Sequence, residues 1–209
     1  MPVYGGSAPI RQTSRRPGGR LISSWGAAFA PVKFMDRIRA LMKKAPPQKV
    51  SLVINEVILE VIALIRREME KNGISAKTQL GDTLPPVWAD RVQLQQVVLN
   101  LLLNAIEAMS GMTEGARELL IRTEQTHSDA VLVSVQDSGP GFPPESEQRL
   151  FESFYTTKPG GLGMGLSICH SIVEAHQGRP WASANLPRGA VFQLTLPALL
   201  SGQGDNIRT

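Results

Sequence analysis

The segment DSGPGF, residues 137–142, follows an apolar run, AVLVSVQ, that reads as a strand. A turn needs one glycine at most. Two glycines behind a fixed acid imply that something is held there. A carboxylate accepts hydrogen bonds, including one from an exocyclic amine such as adenine's, and Gly139 and Gly141 allow backbone geometry that a side chain would block. A second cluster, GGLGMGL at 160–166, opens a helical stretch. Backbone N–H groups at a helix start form an anion site, and glycines there let a phosphate come close. No Gly-Lys-Ser/Thr follows, so it is not a Walker A loop. Between the clusters, FESFYTTKP (151–159) offers Phe151, Phe154 and Tyr155 as anchors of a segment whose Thr157 and Lys158 can reach a phosphate. Each glycine cluster taken alone is equally compatible with a plain turn.

A third set lies upstream. Gln96, Asn100, Asn104 and Glu107 fall at intervals of four, four and three, one polar stripe along a helix. An ordinary solvated face is one account of it. The surrounding VVLNLLLNAIEAM is too apolar for a simply exposed helix, and asparagine is a poor helix former. Two amide oxygens one turn apart suit a hard cation that keeps some waters and also touches phosphate, as magnesium does.

These residues need elements to hold them. Ile54, Val57, Ile58, Val61, Ile62, Ile65 and Met69 predict a helix over about 52–71, stopped by Asn72-Gly73. ISAKTQL (74–80) alternates as a strand, and Pro85-Pro86 mark a loop. Asp90, with Gln93 three residues on, is a variant capping box that opens the striped helix. Its core face is expected at Val92, Val97, Val98, Leu101, Leu102, Ala105 and Met109. LLIRTEQ (119–125) and AVLVSVQ (130–136) read as strands joined by THSD, and residues 144–154 as holding a short helix. LSICHSIVEAHQG (166–178) reads as a helix stopped by Gly178; PWASAN and AVFQLTLP read as the last two strands. Helices and adjacent strands without strict βαβ alternation predict an α+β fold, a mostly antiparallel sheet with helices on one face.

Composition bounds the rest. The chain has 209 residues, 42% of them hydrophobic, enough for one full domain with appendages. One cysteine, Cys169, excludes an internal disulfide. No apolar run approaches the roughly 20 residues of a membrane span. The net charge of +4 sits wholly in residues 1–31, which hold Arg11, Arg15, Arg16 and Arg20 and no acid. A basic leader over a neutral remainder gives no reason to expect a nucleic acid partner. That leader is expected to be disordered, as is the tail 200–209. VKFMDRIRALMKK (32–44) shows a short amphipathic stripe ended by Pro46 and Pro47.

The order of the motifs is more specific than any one of them. A polar-striped helix, DxGxG, an aromatic-Thr-Lys segment and GxGxGL together resemble the four nucleotide-binding boxes of the histidine kinase ATP-binding domain. That domain has the Bergerat fold, shared with gyrase and MutL relatives. The resemblance covers about residues 50–197. It implies a two-layer sandwich over 46–199, with ATP and magnesium as cofactors. It also implies that Asp137 binds the adenine amino group and that Gly139 and Gly141 shape the base pocket. Asn104 would ligate Mg2+, with Asn100 supporting it or the phosphates. Lys158, with Thr157 and Phe154, would act from a lid on the terminal phosphate. Gly161, Gly163, Met164, Gly165 and Leu166 would wrap the phosphates, and Thr195 would face the adenine.

The family phosphorylates a histidine on a dimerisation hairpin, placed before an acidic residue. Residues 32–45 are similar to the end of that hairpin's second helix. The three histidines, His127, His170 and His176, do not stand in such an arrangement. The expectation is therefore a kinase catalytic unit acting in the cytoplasm on a histidine supplied in trans. A response regulator is its expected partner and a homodimer remains possible. A silent nucleotide-binding module and a protein-serine kinase of the same fold remain open. Hydrolysis is disfavoured: gyrase-like enzymes carry a glutamate where this chain has Asn100, and an amide cannot act as a general base.

Overall fold

In the computed structural model, the structure describes residues 48–156 and 162–199. The chain runs through β1 (Lys49–Leu52), α1 (Ile54–Lys71), β2 (Ser75–Leu80), β3 (Val87–Asp90) and α2 (Arg91–Ser110). It continues through β4 (Glu118–Gln125), β5 (Ala130–Asp137), a 3-10 helix (Pro144–Arg149), α3 (Gly165–Ala175), β6 (Arg179–Ala184) and β7 (Ala190–Pro197). Five strands form one sheet in the order β2-β4-β5-β7-β6, and β1 pairs with β3 in a separate ribbon. Only β2 and β4 are parallel; the other pairs of the large sheet are antiparallel. The expected α+β class with a mixed, mostly antiparallel sheet is what the chain adopts. The ribbon is an addition: the proline loop hides β3, and four-residue strands carry too little periodicity to be read.

Alternation along β5 does the positioning. Val131, Val133 and Val135 are buried on the helix-facing side, and the period of two carries Asp137 to that same side at the strand's end. Opposite them, Phe192, Leu194 and Leu196 of β7 are buried, while Val191, Gln193 and Thr195 lie on the other face. α2 covers the sheet and is buried over most of its surface, including Leu94, Leu99, Leu103 and Ile106 besides the expected residues. Val92 is the exception. It is exposed, although Leu94 in the same turn is buried. Arg91 bridges to α1, donating to Glu56 at 2.8 Å and to Glu60 at 2.7 Å. The Glu56 hydrogen bond holds the guanidinium pKa above its ordinary value.

The helix ends show why the sequence stops where it does. Gly73 takes a φ of 64°, and Ile74 N–H returns to Met69 O at 3.0 Å, closing α1 as Asn72-Gly73 predicts. Asp90 Oδ1 accepts from Gln93 N at 2.9 Å, so the cap of α2 forms. The reciprocal half of a capping box does not. Asp90 N–H instead donates to Nε2 of the buried His176 at 3.0 Å. Nε2 must then be unprotonated, so the neutral ring donates through Nδ1 to Ile172 O at 2.7 Å. α3 ends differently from the expectation. Gln177 takes the left-handed φ of 59°, while Gly178 is needed because a Cβ there would run into Thr195 O.

Candidate functional site

At the end of β5, Asp137 Oδ1 accepts from Gly139 N at 2.8 Å and from Ala190 N at 3.3 Å. Asp137 is 2% exposed, so its carboxylate is withdrawn from bulk water. Two positions of the loop after it, 139 and 141, leave little room for a side chain. A Cβ on Gly139 would lie 3.2 Å from Ala108 Cβ of α2. Gly141, at a φ of 76°, would bring a Cβ to 2.7 Å from Gly189 O. Position 139 is thus crowded by side chains, the Asp137 carboxylate and Ala108 Cβ, and position 141 by the Gly189 backbone.

The polar stripe of α2 grades from burial to solvent. Asn100 is 2% exposed, Gln96 and Asn104 are half-buried, and Glu107 is exposed. Asn100 Nδ2 donates to Gly165 O at 3.4 Å, which links the stripe to the second glycine cluster. Gly165 begins α3, and Met164 caps it with its carbonyl, accepting from Ile168 N and Ser167 Oγ, each at 3.1 Å. Gly163, at a φ of 64°, sits where a Cβ would lie 2.5 Å from the Phe154 carbonyl carbon. Its own carbonyl accepts from Phe154 N at 3.0 Å. Leu166 is half-buried on the first turn of α3.

The aromatic segment anchors unevenly. The Phe151 ring lies 5.8 Å from that of His170, and Tyr155 donates to Ser146 Oγ at 2.8 Å under the Arg149 guanidinium. Phe154 does not anchor through its ring, which is 76% exposed; the segment is held there by backbone alone. A φ of 67° turns its side chain outward. Thr157, Lys158 and Gly161 lie outside the described residues, as do the leader, residues 32–45 and the tail.

Thr195 is not brought to this site. It pairs with Leu132, whereas Asp137 adjoins Ala190, roughly 17 Å away along the strand at about 3.4 Å per residue. It also faces away from the helices, and its Oγ1 accepts from Arg179 N at 3.3 Å. The sequence offered a polar residue on the right strand but no register. Four residues that do shape the Asp137 end escaped the sequence reading: Ala108, Asn185, Gly189 and Ala190. The turn between β6 and β7 carries Asn185 and Gly189, and the chain itself offers one signal for them, the Asn-x-x-x-Gly ahead of an apolar strand.

Comparison with known proteins is consistent with this arrangement. The profile of the histidine kinase-, DNA gyrase B-, and HSP90-like ATPase family matches residues 89–200. The chain is 37% identical to the sensor histidine kinase TmoS of Ectopseudomonas mendocina over 161 residues, 77% of this chain and 16% of TmoS. It spans well under half the length of the curated relatives it matches. Among solved structures, the catalytic domain of histidine kinase ThkA superposes with a TM-score of 0.63 at 36% identity, covering 72% of this chain and 96% of that one. ThkA in complex with the response regulator TrrA gives 0.64 at 31% identity, covering 81% and 48%.

Proposed function

The chain belongs to the histidine kinase-, DNA gyrase B-, and HSP90-like ATPase family, and from that membership we propose that it binds ATP at Asp137 and transfers the γ-phosphoryl group to a histidine other than its own three. The observation that carries this reading is the buried Asp137 carboxylate, fixed between two glycine-bearing turns, one of them packed on Ala108 of the striped helix. Asp137 would take the adenine amine, the loop around Gly163 and Gly165 would follow the phosphates, and Lys158 would meet the terminal one. Residues 46–199 would make up the catalytic unit, working in the cytoplasm with a response regulator as downstream partner.

The donor chemistry of α2 fits magnesium. Asn100 and Asn104 offer hard, neutral amide oxygens one turn apart, beside the phosphate-following loop. Among the described residues no three His, Cys, Asp or Glu side chains gather to cage a metal. A cation here would be shared between amide, water and phosphate, as magnesium prefers. When bound it would offset charge on the phosphates; Asn104 would hold it and Asn100 would keep Gly165 in place. Asn104→Ala is expected to weaken nucleotide binding about tenfold in the presence of magnesium and under twofold in EDTA, a loss of roughly 1.4 kcal/mol. Calorimetry with a non-hydrolysable ATP analogue reads both. Equal losses in the two conditions would remove Asn104 from the metal.

The chain's own histidines are poor acceptors. In-line transfer needs the nitrogen within roughly 3–3.5 Å of the γ-phosphorus while the bond to the bridging oxygen breaks and ADP leaves. His176 is buried with both ring nitrogens engaged. His170 meets Glu174 at 3.1 Å and lies beside Phe151. His127 is in the turn before β5, roughly 24 Å from Asp137 at about 3.4 Å per residue. With γ-labelled ATP, the chain alone is expected to take no acid-labile, alkali-stable label, and an added histidine-bearing dimerisation domain to take it. Label on His127, His170 or His176 would overturn the reading. No label on several such domains, with ATP bound, would favour the silent module.

A further inference from the structure

The turn between β6 and β7 does more than connect two strands. Asn185 Nδ2 donates to the Asp137 backbone carbonyl at 2.8 Å, and its Oδ1 accepts from Gln136 Nε2 at 2.8 Å. The same residue's N–H donates to Gly189 O at 3.0 Å, closing the turn on itself. One side chain therefore grips two consecutive residues of β5, 48 and 49 positions earlier in the chain. The next residue past the turn, Ala190, supplies the N–H that reaches Asp137 Oδ1 at 3.3 Å. Gly189 also presents its carbonyl to the Gly141 position, where a Cβ would lie 2.7 Å away. The aim of the carboxylate thus depends on where this turn sits, and Asn185 is the side chain that ties the turn down.

We infer that Asn185 is a positioning residue for purine-base selection: it fixes the β6–β7 turn so that the Asp137 carboxylate points at the 6-position of the base. This rests on the reading of Asp137 as the adenine-binding group. A held carboxylate accepts from a 6-amino group and repels a 6-oxo group, so the preference for adenine over hypoxanthine depends on the carboxylate's direction. A loosened turn lets Ala190 N–H drift, and the carboxylate loses a donor that orients it. It can then rotate away from a 6-oxo group, which erodes the rejection of hypoxanthine more than it erodes the acceptance of adenine.

The test is calorimetry of the full chain with ADP and with IDP, both with magnesium, for wild type, Asn185→Ala, Gln136→Ala and Asp137→Asn. Asn185→Ala is expected to lower the ADP-to-IDP affinity ratio about tenfold, the scale of one hydrogen-bonded interaction. Gln136→Ala, which removes only one of the two grips, should lower it two- to threefold, and it stands in should Asn185→Ala fail to fold. A purely structural role would reduce both affinities together and leave the ratio alone. An unchanged ratio in Asn185→Ala or, in its place, Gln136→Ala, with a collapsed ratio in Asp137→Asn, overturns the role of Asn185 alone. An unchanged ratio in Asp137→Asn as well overturns the base-site reading, and this inference with it.

Discussion

Replacing Asp137 by asparagine is expected to weaken ATP binding about a hundredfold, near 3 kcal/mol. The carboxylate accepts both Gly139 N–H and Ala190 N–H on one oxygen. An asparagine can keep its carbonyl oxygen on those two donors, which directs its NH2 toward the base. Donor then faces the adenine amine, and the site loses an acceptor and gains a repulsion. The charge-assisted bond is lost too, and such bonds are about twice as strong as neutral ones. The alternative rotamer keeps the acceptor for adenine but sets NH2 against two backbone N–H groups in a buried place, which costs about 1–3 kcal/mol. Either way the loss is large, while the fold changes little because the residue's volume is conserved. Calorimetry with a non-hydrolysable analogue measures it. Equal affinity in wild type and variant would take Asp137 out of the base site.

The second large effect is on stability. Gly189→Ala is expected to lower the melting temperature by about 6–12 °C, following from roughly 3 kcal/mol and about 2–4 °C per kcal/mol at this chain length. Two costs add. The φ of 114° is one that L side chains rarely adopt, and the new Cβ would collide with the Asp137 carbonyl and lie 3.2 Å from Asn185 Nδ2. The strand end must then move, so nucleotide binding should fall with stability. Gly73→Ala is the control. Its φ of 64° is also positive, but nothing lies within 4 Å of the added Cβ, so only backbone strain of about 1 kcal/mol applies. It should leave nucleotide affinity intact. Thermal unfolding of the two variants side by side decides the matter. Equal shifts would mean that the close approach at Gly189 has no energetic weight.

Much of the scaffold was legible because local chemistry specifies it. The 3.6-residue spacing from Ile54 to Met69 and the run around Leu101 and Leu102 gave both long helices their buried faces. Asp90 announced the start of α2, and Asn72-Gly73 announced the end of α1, since a cap and a left-handed residue act within a few positions of themselves. The expectations that failed depend on what lies across space. Val92 fits the helical stripe but is exposed, while Leu94, two residues on, is buried. Phe154 is apolar, yet a positive φ turns its ring to solvent. The box partner expected from Gln93 is replaced by His176, whose chain separation of 86 residues no capping pattern can express.

The candidate site follows the same division. The sequence by itself determined which groups are present and in what order: an amide stripe, a carboxylate before two glycines, and a glycine loop that opens a helix. Type and spacing suffice for that, because each motif is a single turn or a single helix face. Tertiary structure decided which of them meet and how each is aimed. The register of β5 against β7 excluded Thr195 and put Ala190 N–H on Asp137. The packing of α3 on α2 joined Asn100 to Gly165. The β6–β7 turn brought Asn185 and Gly189 onto a strand 48 or more residues away. Such contacts are hydrogen bonds and close approaches between distant segments, and they leave no period in the chain because they are fixed by strand pairing and layer packing.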